Sequence, residues 1–369
     1  MKLDHEFYKL PLTFDIKRLQ QEVLKFQESD WHAHHENFKG NFAVPLISVH
    51  GEQNNDFKGP MHECDALKNS PYIRQVLSSF NEVFGRSRLM SLAPGCEVPT
   101  HSDINYHWYK RVRIHIPIIT NEEVIFHCGD KNVHMGEGEC WIFDSWKTHK
   151  VVNSSKFNRI HLVIDTCGSS NFWQMVKQSE IPNTQPMQQA IKHLDYTPDK
   201  KVDILTERYN APIVMSPGEL DSLITDLHNE ITINPDNDAT SIDAFKAITI
   251  RFSQDWRRLW TLYGESEAGW PFYHKLRDHT VQLARNFDNR LLLTNESTAL
   301  QMLIHCVVDP ALSPEVKQNL KFKPKAESST PQKQSGPQAK NTKIKAPMSR
   351  NSPCECGSGK KYKQCCGSL

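Results

Sequence analysis

Apolar residues in the first quarter of the chain recur at intervals of three and four, which is the spacing of one face of an α-helix. Two such stripes follow residues that favour a helix start, Thr13 and Asp15 for the first and Ser70 and Pro71 for the second. Their apolar members are Ile16, Leu19, Val23 and Phe26, and then Ile73, Val76, Leu77, Phe80 and Phe84. The pattern predicts two amphipathic helices, and Gly85 can close the second one.

Between Arg88 and Asp165 the pattern changes to short extended segments separated by Gly, Pro, Asn and Asp. The segments are 88–92, 112–118, 123–128, 140–143, 149–152 and 160–165. Short strands at close spacing are typical of an antiparallel sandwich or jelly roll. We therefore predict a β-rich core in this part of the chain.

From Thr197 onward the periodicity is helical again, and Ser216, Pro217 and Glu219 have the order of an N-terminal helix cap before an apolar stripe. Residues 321–350 differ, because they are basic, rich in Pro, Ser and Gln, and almost without large apolar side chains. Such a segment buries too little surface to offset the entropy of ordering. We interpret it as a flexible, solvated linker, in preference to a segment that contacts RNA or the ribosome.

Length, charge and cysteine positions indicate the domain organisation, the kinds of partner and the compartment of the protein. The 369 residues exceed the usual single domain, so we expect one large domain with accessory parts. A net charge of +1 gives no overall field toward nucleic acid or an anionic membrane, and no run approaches the ~20 apolar residues of a membrane span. Of the ten cysteines, four fall in the last sixteen residues, which favours a reducing compartment with one metal site. We expect a cytoplasmic protein with no membrane partner and no specific nucleic-acid partner.

The segment around His101 carries candidate metal ligands. His101 and Asp103 alternate along an extended stretch, so both side chains point to one face, and His149 begins a later strand that can pack opposite. Two imidazoles and one carboxylate on one side of a metal leave three coordination positions open, as non-haem iron(II) oxygenases require. His107, His127, His134 and His161 also lie in this region, but none has a carboxylate two residues later. We therefore predict that His101, Asp103 and His149 bind iron and are the catalytic centre.

Arg159 follows His149 by ten residues and is flanked by apolar Ile160 and Leu162. A buried guanidinium requires an anionic partner, and its fork suits a carboxylate in two parallel hydrogen bonds. That partner is either 2-oxoglutarate or a protein Asp or Glu, and we favour the co-substrate. Arg113 and His115 alternate with apolar residues on another strand, so they either contact the keto acid's carboxylates or are ordinary paired groups at the barrel mouth.

Residues 84–173 resemble the aspartyl/asparaginyl β-hydroxylase family, a double-stranded β-helix group of 2-oxoglutarate oxygenases. The segments HSD, RVRIH, GECWIFDSWKTHKVVN and FNRIHLVID follow the order and spacing of that family. The resemblance implies that Ser91 and Arg159 hold the distal carboxylate of 2-oxoglutarate, with Arg113 and His115 near its other end. It also implies a protein, peptide or free amino acid as the substrate.

The best-studied animal members lack the acidic second ligand, whereas this chain has Asp103. It therefore looks closer to members with a complete triad, such as free L-proline 3-hydroxylase, which it also resembles in the segment VHMGEGECWIFD.

The end of the chain carries a second candidate metal site. Cys354, Cys356, Cys365 and Cys366 have the spacing C-x-C-x8-C-C with Gly357 and Gly359 between them, which suits tetrahedral zinc. Two disulfides or unligated thiols are the alternatives. The stretch resembles the SEC-C motif at the end of the bacterial preprotein translocase motor, which implies contact with a chaperone or the ribosome.

Together these features predict a mixed α/β (α+β) protein with a jelly-roll, cupin-like double-stranded β-helix and flanking helices. We expect an oxygenase domain at 1–180, a helical accessory domain at 181–320, a flexible basic linker at 321–350 and a zinc knuckle at 351–369. The predicted function is Fe(II)- and 2-oxoglutarate-dependent hydroxylation of an amino acid residue in a protein or peptide. The alternatives are a free amino acid (proline-like) hydroxylase and a non-catalytic cupin-like adaptor that docks to a chaperone or the ribosome through its zinc knuckle.

Overall fold

The structure of this chain is a computed structural model that describes residues 1–33, 38–320 and 360–361. The predicted linker at 321–350 and the four knuckle cysteines lie outside the described residues. The strands in the described part are β1 Phe7–Phe14, β2 His32–Ala33, β3 Asn41–Val49, β4 Met61–Glu63, β5 Val83–Leu92, β6 Cys96–His101, β7 Val112–Ile119, β8 Val124–Cys128, β9 Lys131–Val133, β10 Glu139–Phe143, β11 His149–Asn153, β12 Arg159–Thr166, β13 Lys192–Leu194 and β14 Leu205–Thr206.

The α-helices of the same residues are α1 Ile16–Val23, α2 Asp65–Lys68, α3 Pro71–Phe80, α4 Tyr106–Lys110, α5 Ser170–Lys177, α6 Pro217–Ile233, α7 Ala239–Tyr263, α8 Trp270–Ala284, α9 Ala299–Met302, α10 Asp309–Ala311 and α11 Pro314–Leu320. Short 3-10 turns cover Glu28–Asp30, Glu267–Gly269 and Arg285–Phe287, and Leu303–Val308 is π-helical. Every helix in the described residues is too short or too polar to cross a bilayer.

Two sheets face each other in the first half of the protein. The larger has the strand order β13-β1-β10-β7-β12-β5-β3-β2, with β4 beside β3 and β14 beside β5, and the smaller has the order β6-β11-β8-β9. From β5 to β12 the chain passes back and forth between the two sheets, which is the winding of a double-stranded β-helix. This topology confirms the predicted mixed α/β fold with a jelly-roll core.

The two faces of the large sheet have different chemistry because successive side chains of a strand point to opposite sides. Ile160, Leu162 and Ile164 of β12 belong to an apolar core that also contains Leu19 of α1 and Ile73 of α3. The alternate residues of β12 face the small sheet, and they include Arg159, His161 and Asp165. The helices therefore cover one face of the sheet, and the polar site lies on the other.

The second predicted helix ends earlier than the sequence pattern suggested. α3 stops at Phe80 because Asn81 adopts a left-handed conformation with φ 53°, and Phe84 already belongs to β5. The expectation that Gly85 closes this helix was therefore wrong. Asn can take this conformation because its short polar side chain reduces the steric cost.

The helical region packs directly on the β-helix. Residues just after 180 still add β13 and β14 to the large sheet, so the helices of this region begin at α6. Trp146, which lies between β10 and β11, is buried in the apolar core of the helical region. The backbone oxygen of Trp146 accepts a hydrogen bond from Asn295 Nδ2 at 2.7 Å.

Candidate active site

The three predicted metal ligands meet at one end of the small sheet. His101 ends β6 and is the antiparallel partner of His149, which begins β11, and the centroids of their rings are 4.2 Å apart. Asp103 follows two residues later, where its backbone N–H donates to the Ser145 oxygen at 3.0 Å. One ligand atom from each of the three residues lies within 4.8 Å of the other two.

Backbone carbonyls fix the orientation of both imidazoles. The Nδ1 atom of His101 is 2.8 Å from the Pro99 oxygen, and Nδ1 of His149 is 2.9 Å from the Lys147 oxygen. Because a carbonyl oxygen only accepts, both Nδ1 atoms carry the proton and both Nε2 atoms present a lone pair. Burial lowers the pKa of His149 to about 4, so its ring is neutral near pH 7, as a metal ligand must be.

Arg113 holds the carboxylate of the third ligand. Its Nη1 donates to Asp103 Oδ2 at 3.0 Å, and its Nε is 3.3 Å from Asp165 Oδ1. Burial raises the pKa of Asp103, but the charges of Arg113 and the two histidines outweigh burial and keep the pKa below its ordinary value. Asp103 is therefore ionised and oriented, with one oxygen directed at Arg113. Two imidazoles and this carboxylate fit the facial donor set of a non-haem iron(II) site.

Asp165 extends this network away from the metal ligands. It accepts a hydrogen bond from Nε2 of His107 at 3.0 Å, and the Arg113 guanidinium lies 4.2 Å from the Trp108 ring centroid. The structure thus engages Arg113 with two protein carboxylates, which is the ordinary paired state that the sequence left open. The sequence analysis did not predict a role for Asp165 or for His107. Asp165 alternates with Ile164 on a strand next to that of Arg113, and this alternation could have indicated that Asp165 lies on the same face as Arg113.

Arg159 is buried without a carboxylate partner among the described residues. Its Nη2 lies 2.8 Å from Nδ1 of His161, its guanidinium lies 5.1 Å from the Phe126 ring centroid, and its Nε has no hydrogen-bond partner. Burial alone lowers the pKa of this arginine to about 9. The alternative of an ion pair with a protein Asp or Glu is therefore not what the described part of the chain shows. Arg159 also borders a cavity of about 250 Å³, but the metal ligands, His115 and His161 do not line it, so it is not the space between Arg159 and the metal ligands.

Two histidines lie between Arg159 and the metal ligands. His115 contacts Phe143, whose ring is 4.9 Å from that of His149, and it contacts His161 at a centroid distance of 5.8 Å. Both ring nitrogens of His115 and Nε2 of His161 are buried without a hydrogen-bond partner in the described part of the chain. Buried polar atoms are normally paired, so these three nitrogens mark a place where a polar ligand would bind.

The structure does not bring Ser91 to Arg159. In the pairing of β5 with β12, Ser91 is opposite Ile160, and Arg159 is opposite Leu92. Because directly opposed residues share a face, Ser91 lies on the helix-covered face and Arg159 lies on the inner face. Leu92, opposite Arg159, and Met90, opposite His161, are the residues of β5 that lie on the inner face at this point.

Two further arginines were missed. Arg86 and Arg88 alternate with Ser87 along β5, so both point to the inner face, and both are buried. The sequence GRSRLM could have indicated that both arginines point to one face, because one residue separates them within a strand.

Two parts of the chain match known protein families. Residues 16–168 match the model of the Aspartyl/Asparaginyl beta-hydroxylase family, and residues 350–368 match the SEC-C motif. The chain is 26% identical over 179 residues to an L-proline cis-4-hydroxylase of Rhizobium meliloti, covering 45% of this chain and 64% of that protein. It is also 75% identical over 24 residues to a UPF0225 protein of Photorhabdus laumondii, covering 6% of this chain and 15% of that protein.

The chain therefore spans less than two thirds of the length of either of these relatives. Among solved structures, a prolyl-4-hydroxylase of Pseudomonas putida aligns with a TM-score of 0.31 and 11% identity, over 44% of this chain and 92% of that one. A 2OG-Fe(II) oxygenase family protein of Burkholderia pseudomallei aligns with a TM-score of 0.33 and 10% identity, over 48% of this chain and 82% of that one.

Proposed function

We propose that this protein is an Fe(II)- and 2-oxoglutarate-dependent hydroxylase that acts on an amino acid residue of a protein or peptide. The observation that carries the proposal is the buried guanidinium of Arg159, which has no carboxylate partner in the described residues and lies on the face of the large sheet that is turned toward the small sheet, where the metal ligands meet. A buried cation without an anion is costly, so it indicates a dianionic co-substrate that arrives with the metal.

In this proposal His101, Asp103 and His149 hold the iron, and Arg159 holds the distal carboxylate of 2-oxoglutarate. His115 and His161 contribute polar atoms along the co-substrate between these two ends. When bound, Fe(II) and 2-oxoglutarate supply the oxidising chemistry that inserts one oxygen atom of O₂ into a C–H bond.

The protein's own residues orient and shield this chemistry. Arg113 keeps Asp103 ionised and turned toward the metal, and the backbone oxygens of Pro99 and Lys147 keep both imidazoles in the ligating tautomer. Phe126 and Phe143 form apolar walls next to His115, which exclude water from the space between the sheets. Such a site protects the reactive metal from solvent.

A free amino acid is the second candidate substrate, because the relative that aligns over 179 residues is a hydroxylase of L-proline. Succinate-coupled gain of one oxygen atom, measured by mass spectrometry on free amino acids, peptides and lysate proteins, distinguishes the two candidates.

We also propose that Cys354, Cys356, Cys365 and Cys366 bind one zinc ion, on the strength of the SEC-C match. That module would dock to a chaperone or the ribosome.

Replacement of Arg159 by Lys tests the co-substrate role. Lys keeps the positive charge but loses the fork, so we expect the Kd of 2-oxoglutarate to rise about tenfold or more while iron binding is retained. Arg251→Lys is the matched control, because Arg251 is exposed on α7 and, within residues 1–33, 38–320 and 360–361, bonds only to the Ala247 oxygen of its own helix. An unchanged Kd for 2-oxoglutarate with reduced stability in Arg159→Lys would assign Arg159 a structural role and contradict the proposal.

A further inference from the structure

The short helix α4 lies between the metal site and the helical region. It has five residues and begins three positions after the proposed metal ligand Asp103. A helix in water needs about 12–15 residues to be even marginally stable by itself, so α4 depends on its neighbours for its position. The contacts on its two sides therefore decide where it lies.

One side of α4 contacts the network around the metal ligands. Nε2 of His107 donates to Asp165 Oδ2 at 3.0 Å, and the ring centroid of Trp108 lies 4.2 Å from the guanidinium carbon of Arg113. Arg113 in turn donates to Asp103 Oδ2 at 3.0 Å. A shift of α4 would therefore move the groups that surround Arg113 and, through Arg113, disturb the metal ligand.

The other side of α4 is bonded to α6 of the helical region. The hydroxyl of Tyr106 donates to Glu219 Oε1 at 2.6 Å, and Lys110 pairs with the same oxygen at 3.0 Å. The hydroxyl of Tyr109 donates to Asp226, and both tyrosine rings pack against the apolar core of the helical region. Because Glu219 and Asp226 are seven residues apart, two turns of α6 together hold α4.

Three carboxylates lie on one face of α6, those of Glu219, Asp226 and Glu230. Their spacing of seven and four residues places them in one row along the helix. The buried Glu230 pairs with Lys2 and accepts a hydrogen bond from the backbone N–H of Thr294 at 3.1 Å. Each carboxylate of this row thus bonds to a residue that precedes β7 in the chain. This face of α6 is therefore the one turned toward the β-helix.

Both tyrosines keep their protons at neutral pH. Burial raises the pKa of Tyr106 and of Tyr109, and the hydrogen bonds to Glu219 and Asp226 raise these pKa values further. Hydrogen bonds to an ionised acceptor are roughly twice as strong as bonds between neutral groups. The two hydroxyls therefore remain donors, and their bonds to α6 are strong enough to fix a helix as short as α4.

We propose that Tyr109 is a positioning residue, through which Asp226 and the helical region hold α4 against the metal site. The bond from Tyr106 to Glu219 is the second support of the same helix. This inference rests on the proposed metal site, and it assigns the helical region a part in the geometry of that site. The helical region keeps the groups around Arg113 in place, and Arg113 keeps Asp103 oriented.

Hydrogen–deuterium exchange of the full chain without metal, read by mass spectrometry over residues 103–110, measures how firmly α4 is held. The amides of Trp108 and Tyr109 are the protected ones, because both donate to Asn105. Tyr109→Phe and Asp226→Asn each remove the bond between the two side chains. We expect each variant to exchange these amides at least about tenfold faster, the range of a hydrogen bond to a charged group.

Two matched controls remove comparable bonds elsewhere. Tyr273→Phe deletes a hydroxyl that donates to the Gly264 oxygen at 3.0 Å within the helical region. Asp221→Asn alters a carboxylate of the same helix α6, but one that bonds to Ser253 and Arg257 of α7. Both controls should lower the melting temperature as much as Tyr109→Phe or Asp226→Asn does, yet leave exchange over residues 103–110 at the wild-type rate.

Cobalt(II) binding gives a readout that a loss of global stability does not change. The visible absorption of Co(II) depends on the number and geometry of its ligands, so a less firmly held Asp103 should alter the absorption bands. We expect the Kd of Co(II) to rise at least about threefold in Tyr109→Phe and in Asp226→Asn, and to stay at the wild-type value in both controls. The double variant should resemble either single variant, because both changes remove the same bond.

Exchange over residues 103–110 at the wild-type rate in Tyr109→Phe would overturn the proposal, as would equal acceleration in Tyr273→Phe. Faster exchange with an unchanged Co(II) spectrum and Kd would show that α6 holds α4 without consequence for the metal, and the positioning role would be wrong. The proposed metal site fails by a different result, namely absence of Co(II) and Fe(II) binding in the wild type. The exchange measurement requires no metal, so it still decides in that case whether Tyr109 and Asp226 hold α4.

Discussion

The guanidinium of Arg159 donates from Nη2 to Nδ1 of His161 at a distance of 2.8 Å. Because an arginine only donates, Nδ1 of His161 accepts and the proton of this ring lies on Nε2, which is buried without a partner among the residues that the structure describes. His161 therefore does two things: it orients the guanidinium and presents a second N–H to the same inner space. Its side chain is fully buried, so both functions are fixed by packing.

Replacement of His161 separates these two functions. His161→Asn keeps an acceptor near the position of Nδ1, whereas His161→Leu removes it, so we expect the Leu variant to raise the Kd of 2-oxoglutarate about tenfold and the Asn variant to raise it less. Titration of 2-oxoglutarate into the iron-loaded protein without oxygen measures both. If Leu and Asn raise the Kd equally, the hydrogen bond to Arg159 has no part in co-substrate binding.

The metal site makes a direct prediction for its three ligands. Replacing His101, Asp103 or His149 by Ala should reduce bound iron below one ion per chain and abolish succinate formation, because two protein donors hold a divalent metal weakly. The circular dichroism spectrum should remain that of the wild type. His127→Ala is the control, since His127 lies on β8 next to the site but outside the metal cluster. Full succinate formation by His149→Ala would show that another group binds the iron.

Local spacing was enough to predict the jelly roll, the meeting of His101, Asp103 and His149, and the burial of Arg159. These features depend on residues a few positions apart, or on strands that the fold brings together in a fixed order. The face on which Ser91 lies could not be predicted in this way, because one position along a strand reverses the direction of the side chain and only the register with β12 decides it.

Other features depend on contacts that no local pattern contains. The ion pair between Arg111 and Glu207 joins residues 96 positions apart. In the sequence, Trp146 looks like another apolar residue of the β-rich segment. In the structure it is buried in the apolar core of the helical region, and its backbone oxygen bonds to Asn295, which is 149 positions away. Within the described residues, the buried Arg86 and Arg88 lack an ion-pair partner, and this is equally invisible in sequence because it depends on what lies around them in space.

The contact between Asn295 and Trp146 links the helical region to the metal site. Trp146 directly follows Ser145, whose oxygen accepts the backbone N–H of Asp103. Asn295→Ala removes the bond to the Trp146 oxygen, so this loop should loosen, and we expect weaker iron binding together with a loss of about 1–3 kcal/mol of unfolding free energy. Asn237→Ala is a suitable control, because Asn237 makes comparable bonds to Ile231 and Leu292 within the helical region. Equal effects on iron binding in both variants would show that only global stability is involved.

Acid should destabilise the helical region through His274. This side chain is buried in α8, and burial, assisted by the charge of Arg277, lowers its pKa to about 4. In the unfolded chain His274 takes up a proton near pH 6.5, whereas in the folded protein it does so only near pH 4. The contribution of His274 to folding stability is therefore complete above pH 6.5 and is lost as the pH decreases toward 4. The contribution is at most about 3 kcal/mol for such a shift.

Chemical denaturation at several pH values measures this effect. His274→Gln should unfold with a smaller dependence on pH between 6.5 and 4, because the replaced side chain does not titrate. An identical pH dependence in wild type and variant would mean that His274 is accessible to protons in the folded state.

The two metal sites should be separable by truncation after Leu320. α11 remains in the shortened chain, where Asn319 Nδ2 donates to the Lys58 oxygen at 2.7 Å and Glu315 pairs with Lys58 at 2.8 Å, so the described fold keeps its last helix. The described contact that is lost joins Lys360 to Asp278 of α8, and an exposed ion pair of this kind contributes up to about 1 kcal/mol.

Truncation should therefore remove one zinc ion per chain and leave iron binding and 2-oxoglutarate turnover without substrate nearly unchanged. The predicted thirty-residue linker has a root-mean-square span of roughly 30 Å if it behaves as a soft coil, which lets the knuckle hold a macromolecular substrate near the site. Hydroxylation of such a substrate should fall on truncation, whereas that of a free amino acid should not. Metal analysis and succinate assays on both chain lengths measure these outcomes, and loss of iron binding in the short chain would show that residues after Leu320 belong to the catalytic fold.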